Sequence, residues 1–570
     1  DSVGQVFLSH PLKCARCHDH KFDPIPTKDY YRMQAVFAST YFADRKVPFQ
    51  DCETLVGFEE KEVMEKRLQY FAEMRDQLDD KSDEALRAWC KERGIEYGTR
   101  KQLLDRGIPE DELPRNIGLS LEEIGIRKVG IKNVQRTEFE MKKFEPYSMT
   151  VYSGLEPVKE QRSGSMLPMP ADPMGQGERS TTHILTGGDP FGYAEEVTPG
   201  VFSALPDSND TLEANDYNSI PETPVGRRLA FAKWLASPKN TLVPRSMVNR
   251  IWNYHFGQGI VNTPNNFGAM GGKPTHPELL DYMASQFIES GWSVKAMQRL
   301  IMLSEAYRRS TEYKDRKLLE EKDPNGKSYA VFEPRRLSAE EIRDSMLYVS
   351  GELSPTIGGL PALPEINQDV ATQPRQVMGS FAASYEPART PEERNRRSVY
   401  AKKMRGLRNP FMEVFNQPSP DESCERRDSS TVTPQVFSLF NGEDTLNRSV
   451  ATAMDLIQKN KSRKAVVEDL FQRAYGRNPD KEEIQLCLDH WRKMERRHAG
   501  LHFEPRALPR EVERTAVEEM SGASFNFTEI LFGYDNYEPD PGLADVDLET
   551  RALADLCLVV FNSNEFVYVY

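Results

Sequence analysis

Chemically versatile residues are concentrated in one short stretch. From Cys14 to Tyr31 the sequence CARCHDHKFDPIPTKDYY holds two cysteines, two histidines, two lysines and three aspartates. Cys14, Cys17 and His18 form C-x-x-C-H, the spacing of a c-type haem attachment site. Two intervening residues bring both sulfurs to one edge of a porphyrin, for thioether bonds to its vinyl groups. The next histidine then offers its imidazole to the iron as proximal ligand. The expected cofactor is therefore one covalent haem c on Cys14 and Cys17, with His18 on the iron. His20 stands too near His18 to reach the opposite face of the ring and is read as a supporting or salt-bridge group. For the distal position the nearest candidates are His10 and Met33, followed by His183. A methionine suits a high-potential carrier and a second histidine a lower one; an open position suits ligand or peroxide chemistry. Arg16, Lys21 and Lys28 are candidates to neutralise haem propionates.

Other readings of the motif stay open. C-x-x-C is half of a zinc site, which His10, His18 or His20 would have to complete because no second C-x-x-C exists. A thioredoxin-like pair would want a strand before it, and VGQVFLSHPLK is only weakly strand-like. A chance match in a long chain is the third reading. The other five cysteines (Cys52, Cys90, Cys424, Cys487 and Cys557) are scattered and odd in number. Each reads as a small buried hydrophobe, with room for one pair among them.

The elements that must hold this stretch follow from composition and punctuation. The 570 residues suggest roughly three or four domains. No run of about 18 apolar residues exists, so no transmembrane segment is expected. The net charge of -14, with both signs mixed along the chain, argues against non-specific nucleic-acid binding. The motif lies only thirteen residues after Asp1, which reads as a cut or incomplete start with any export signal upstream.

The expected fold is mainly α and multidomain: a small haem-binding segment at the N-terminus, a β-containing middle module and a large α-helical C-terminal body. Residues 1–115 are assigned to the haem segment plus helices, FEEKEVMEKRLQYFAEMRDQL and then SDEALRAWCKERG, with Ser82 as the second helix's cap and Gly94 as its stop. Residues 116–222 form the middle module, with strand-like EPYSMTVYSG and STTHILTGGDPFG. Residues 223–570 form the helical body. There Pro244 and Gly257 bracket one helix, Thr275 and Glu278 suggest a capping box, and Ser338 and Glu341 suggest another. A long loop is expected at about 352–430. Within it and beyond, RRDSSTVTP places Arg426 and Arg427 where an anion would suit them, although a locally bonded loop is the simpler reading. Trp252 and His255 share a helical face with Val248 and Ile251, and His276 falls in a helix's first turn. His255 reads as a packing residue, and His276 as a neutral, hydrogen-bonding one, with a ligand or catalytic role as its sharper alternative.

CARCHDHKFDPIPTKDYYRMQAVFAST resembles the signature of the large planctomycete cytochrome C proteins. GRRLAFAKWLASPKNTLVPRSMVNRIWNYHFGQGIVNTPNNFGAMGG, STVTPQVFSLFNG and the ending LADLCLVVFNSNEFVYVY resemble the domain of unknown function that follows the cytochrome-like one in that family. The resemblance implies an exported, haem-containing protein of the periplasm or cell envelope. It also implies a protein partner, which a sulfatase-like family member would fit. The expected function is electron transfer with a redox partner. One alternative is a haem oxidoreductase acting directly on a substrate or peroxide. The other is an envelope scaffold whose C-x-x-C-H binds zinc or is structural. The oligomeric state is open.

Overall fold

The computed structural model describes residues 1–50, 56–113, 115–157, 168–205, 219–377, 380–421, 424, 426–427 and 429–570. Cys52 lies outside the described residues. The architecture is mainly α, with short two-stranded antiparallel ladders between the helices.

Three packed regions emerge. The first joins the N-terminal forty residues to the segment after 200. Leu8, Leu12, Ala15, Ile25, Met33 and Val36 pack against Val201, Phe202, Phe231, Trp234 and Val243. Directly adjoining it, the helices Leu242–Phe256, Pro277–Glu289 and Val294–Met302 enclose Trp252, Phe256, Met283 and Phe287. The second region pairs Glu60–Glu92 with Leu121–Met141. Gly130 lets these helices approach closely, because a Cβ there would sit 3.0 Å from the Phe71 carbonyl. The third buries Ile342, Met346, Val450, Leu470, Trp491 and Phe561 among the helices Ala339–Ser350, Glu443–Lys459, Arg463–Tyr475, Lys481–His498 and Leu548–Phe561.

Local signals explain many boundaries. Ser338 and Glu341 form a reciprocal cap at 3.3 and 2.7 Å, and Gly351 ends that helix at φ 78°. Gly257 closes its helix at φ 75°. Other expectations are corrected. The two helices between 58 and 94 are one, Glu60–Glu92, with Ser82 inside it; no glycine or proline interrupts that run. The Thr275–Glu278 box does not form. Thr275 gives both its N–H and its hydroxyl to the Ile260 carbonyl, and the helix starts at Pro277. The C-terminal body is not helical throughout: Glu511–Val517 pairs with Ser524–Ile530 in an antiparallel hairpin, as its alternating burial requires.

The expected borders at 115/116 and 222/223 both cut through packed units. Glu60–Glu92 and Leu121–Met141 face each other across the first, and Thr40–Lys46 pairs with Tyr147–Ser153 across it. The middle stretch opens with a 21-residue helix rather than with strands. In the stretch expected as a long loop, 352–430, the described residues include the short helices Gln368–Ala371, Pro391–Arg394 and Pro410–Val414, and residues of this stretch join a set of ions. Arg394 donates to Asp540 at 2.8 Å. Arg448 bonds to Asp540 and Glu352, and Arg506 to Glu365 and, at 3.1 Å, to Glu443. With Arg343 and Asp444, four guanidiniums meet five carboxylates.

Asp444 takes up the imbalance. Burial, and then the charge of Glu365, push its carboxyl up to about 7 against the opposing pull of Arg343 and Arg448. A carboxyl whose folded pKa is raised contributes stability that is present below its unfolded value and is lost as pH rises through 7. Asp444→Asn is therefore expected to gain about 2 kcal/mol relative to wild type between pH 5 and pH 8. Urea unfolding at both pH values measures this, and parallel pH dependence of the two proteins would contradict it.

Candidate cofactor site around Cys14, Cys17 and His18

The C-x-x-C-H segment folds as the 3-10 helix Leu12–Arg16, with Cys17 as its C-cap. In a 3-10 helix, residues three apart lie one above the other. Leu12 and Ala15 therefore share one face and are buried in the core. Cys14 and Cys17 share another face and are exposed, both as free thiols. The burial that fixes the turn thus also points both sulfurs outward.

The turn is tied down on every side. Tyr31 donates its hydroxyl to the Arg16 carbonyl at 2.9 Å. Asp19 accepts the Thr27 N–H at 2.8 Å, at the start of the helix Thr27–Phe37. The buried Asp29 carboxylate accepts both the N–H and the hydroxyl of Ser203 at 2.7 Å. Asp23 accepts the Ala269 N–H at 2.7 Å. Ser9 lies 2.7 Å from both the Ser246 hydroxyl and the Pro264 carbonyl, and its own carbonyl accepts the Phe267 N–H at 2.7 Å. Buried Arg227 donates to the Ala35 carbonyl at 3.1 Å.

His18 is exposed beside the two thiols. Its Nδ1 lies 2.7 Å from the Asp19 carbonyl, which can only accept. Nδ1 must carry the proton, which leaves Nε2 with a free lone pair. That is the tautomer a metal ligand needs, held by the carbonyl contact that usually orients such ligands. The residues present therefore fit a covalent haem c: two outward thiols on one face and one imidazole with a committed Nδ1.

The remaining candidates each have partners of their own. His20 is nearly enclosed, and its Nδ1 accepts the Asp23 N–H at 3.0 Å, so it anchors the turn. His10 is half-buried, with Nδ1 on the Leu8 carbonyl at 2.7 Å and its ring edge toward Phe202. Met33 is buried in the same apolar cluster as Leu12 and Ala15. His183 sits on the short strand His183–Leu185, 3.2 Å from the Ala194 carbonyl. Among the described residues no three His, Cys, Asp or Glu side chains converge as a metal-ion group, whether Cys14 and Cys17 are taken with His18, His10 or His20. Lys28 pairs with Glu195 at 3.1 Å, and Lys21 lies over the Phe22 ring.

Of the other cysteines, Cys90 and Cys557 are buried and Cys487 is half-buried, as expected; Cys424 is exposed, and none of the described cysteines is paired. Cys424 lines a cleft of about 950 Å³ together with Arg250, Tyr254, Arg335, Arg336 and Arg427, and no residue of the C-x-x-C-H motif reaches it. Arg427 is held there by Glu340 and the Phe415 carbonyl, distant partners rather than the local Ser/Thr bonds that the sequence suggested. His255 packs edge-on to Tyr307.

The neighbour that the sequence did not bring forward is the hairpin of His183–Leu185 and Tyr193–Glu196, whose connecting turn includes Gly188. Gly187 and Gly188 both have left-handed backbones, at φ 62° and 78°. The Gly-Gly pair marks a special turn in the sequence, but nothing in its spacing says what it touches.

Comparison with known families agrees with two parts of this arrangement. Residues 227–491 match the model described as PSD1, a protein of unknown function (DUF1553). Residues 1–41 match the model described as PSCyt2, a protein of unknown function (DUF1549). These are the planctomycete-type domains that the sequence resembles, in the expected order. Neither description names a cofactor or a reaction. No curated protein and no solved structure matches the chain. Among the described residues no helix is long and apolar enough to cross a membrane.

The Asp23 bond joins these two matched segments. Asp23→Ala leaves the Ala269 N–H without its partner and is expected to cost about 1–3 kcal/mol in urea unfolding. An unchanged midpoint would contradict the lock.

Proposed function

We propose that the protein is an exported c-type haem protein of the periplasm or cell envelope that passes electrons to or from a partner protein. The observation that carries this reading is the shared exposed face of Cys14 and Cys17 beside His18, whose Nε2 is left free by the Nδ1 contact with Asp19. When bound, haem supplies a one-electron couple at its iron. The chain's part is attachment and placement. Each thiol adds across a vinyl double bond: a C–S bond forms, the S–H bond breaks, and its hydrogen goes to the other vinyl carbon, with no net oxidation. The buried face of the turn fixes the two sulfurs, and the Asp19 carbonyl fixes the ring orientation of His18. Placement on the surface keeps the cofactor edge within reach of a docking protein. Arg16 beside the motif brings positive charge toward the propionates.

The test is a reduced spectrum in alkaline pyridine, on protein purified from a host that makes it. One haem c per chain is expected, and colourless protein would overturn the proposal. His18→Ala is expected to retain the covalent haem while losing the low-spin spectrum of the native protein. A native spectrum in that variant would remove His18 from the proximal position.

A further inference from the structure

The tightest contact at the motif comes from far along the chain. Gly188 lies against Cys17 so closely that a Cβ there would meet Sγ at 2.6 Å and the Cys17 Cβ at 3.7 Å. Arg16 also holds this residue, donating to the Gly188 carbonyl at 3.3 Å. The hairpin that carries it is fastened at both ends. Lys28 pairs with Glu195 at 3.1 Å, the Val197 N–H donates to the Thr182 carbonyl at 2.8 Å, and the Gly200 N–H donates to the Arg32 carbonyl at 3.1 Å. Its outer side presents Phe191 and Tyr193, which are 89% and 70% exposed. Aromatic rings left this open on the hairpin that carries Gly188 offer apolar surface to a ligand.

We infer that residues 183–196 form the wall of the cofactor site, and that Gly188 is a positioning residue for thioether formation at Cys17. This rests on the haem reading above. The glycine leaves the space that Sγ occupies, so the sulfur lies flush with the hairpin and faces along it. A macrocycle bonded there would have the exposed rings of Phe191 and Tyr193 on the same hairpin available to it. A methyl group at position 188 displaces Sγ or the hairpin by a few tenths of an ångström or more, and the vinyl group is then no longer in line with Cys17. No atom of Cys14 is among the nearest neighbours of a Cβ at position 188, and its bond is expected to remain.

Gly187 separates contact from backbone strain. It also has a left-handed backbone, at φ 62°, yet a Cβ there meets nothing within 4 Å. An alanine at either position carries a similar left-handed backbone strain, but only Gly188→Ala pushes on Cys17.

The experiment compares wild type, Gly187→Ala and Gly188→Ala by peptide mapping and by the reduced pyridine spectrum. Gly188→Ala is expected to carry haem on Cys14 alone, with the absorption band moved to longer wavelength by the surviving vinyl group. In haem-free protein its Cys17 is expected to alkylate with iodoacetamide at a rate changed several-fold, while Cys14 is unaffected. Gly187→Ala is expected to match wild type in both measurements. Two thioethers and an unchanged Cys17 rate in Gly188→Ala would overturn the inference and leave the haem reading standing. Equal effects at 187 and 188 would also overturn it, as strain rather than contact. Wild-type protein without haem would overturn both readings.

Discussion

Burial of Leu12 and Ala15 against the core formed with Trp234 and Phe231 is the constraint on which the candidate site depends. Two small apolar residues three apart commit one face of a 3-10 turn to the interior, and the geometry of that turn leaves Cys14 and Cys17 no choice but to point outward. A cysteine buried in apolar surroundings is inert. Here the core keeps the thiols available by occupying the opposite face. The hydrogen bonds of Asp19, Asp23, Asp29 and Tyr31 surround the turn and leave its position little freedom.

The same constraint explains how the chain is arranged. Residues 1–41 and the segment beginning at 227 match separate family models, yet they share one core and exchange bonds through Ser9, Asp23 and Arg227. The residues between them leave this unit, form the paired helices Glu60–Glu92 and Leu121–Met141, and return through the hairpin that touches Cys17. The N-terminal segment is thus a surface layer on the body. Opposite in character is the charge cluster around Asp444, where five carboxylates and four guanidiniums are drawn together and burial raises the Asp444 carboxyl.

Legibility in the sequence followed the range of the interaction. The Ser338–Glu341 cap and the glycines at 257 and 351 act over a few residues, and each does locally what its spacing suggests. The strand at 147–153 and the β-like run at 183 were also readable from alternation, and the mainly α class from helical periodicity. What failed depended on distant partners. Thr275 spends its hydroxyl on Ile260 rather than on a cap. Met33 has a suitable sulfur for a ligand, but its helical face belongs to the core. The domain borders were misplaced because Thr40–Lys46 finds its strand partner about a hundred residues later. Gly188 was invisible as a site residue for the same reason: its sequence neighbours say only that the backbone turns, and the sulfur that requires it lies at position 17.

The most direct measurement of the central claim is the intact mass, under denaturing conditions, of protein isolated from a host that makes it, followed by alkylation of free thiols. The account predicts the mass of the chain plus one haem, with Cys14 and Cys17 both closed to alkylation. An unmodified chain with both thiols open to the reagent would contradict it.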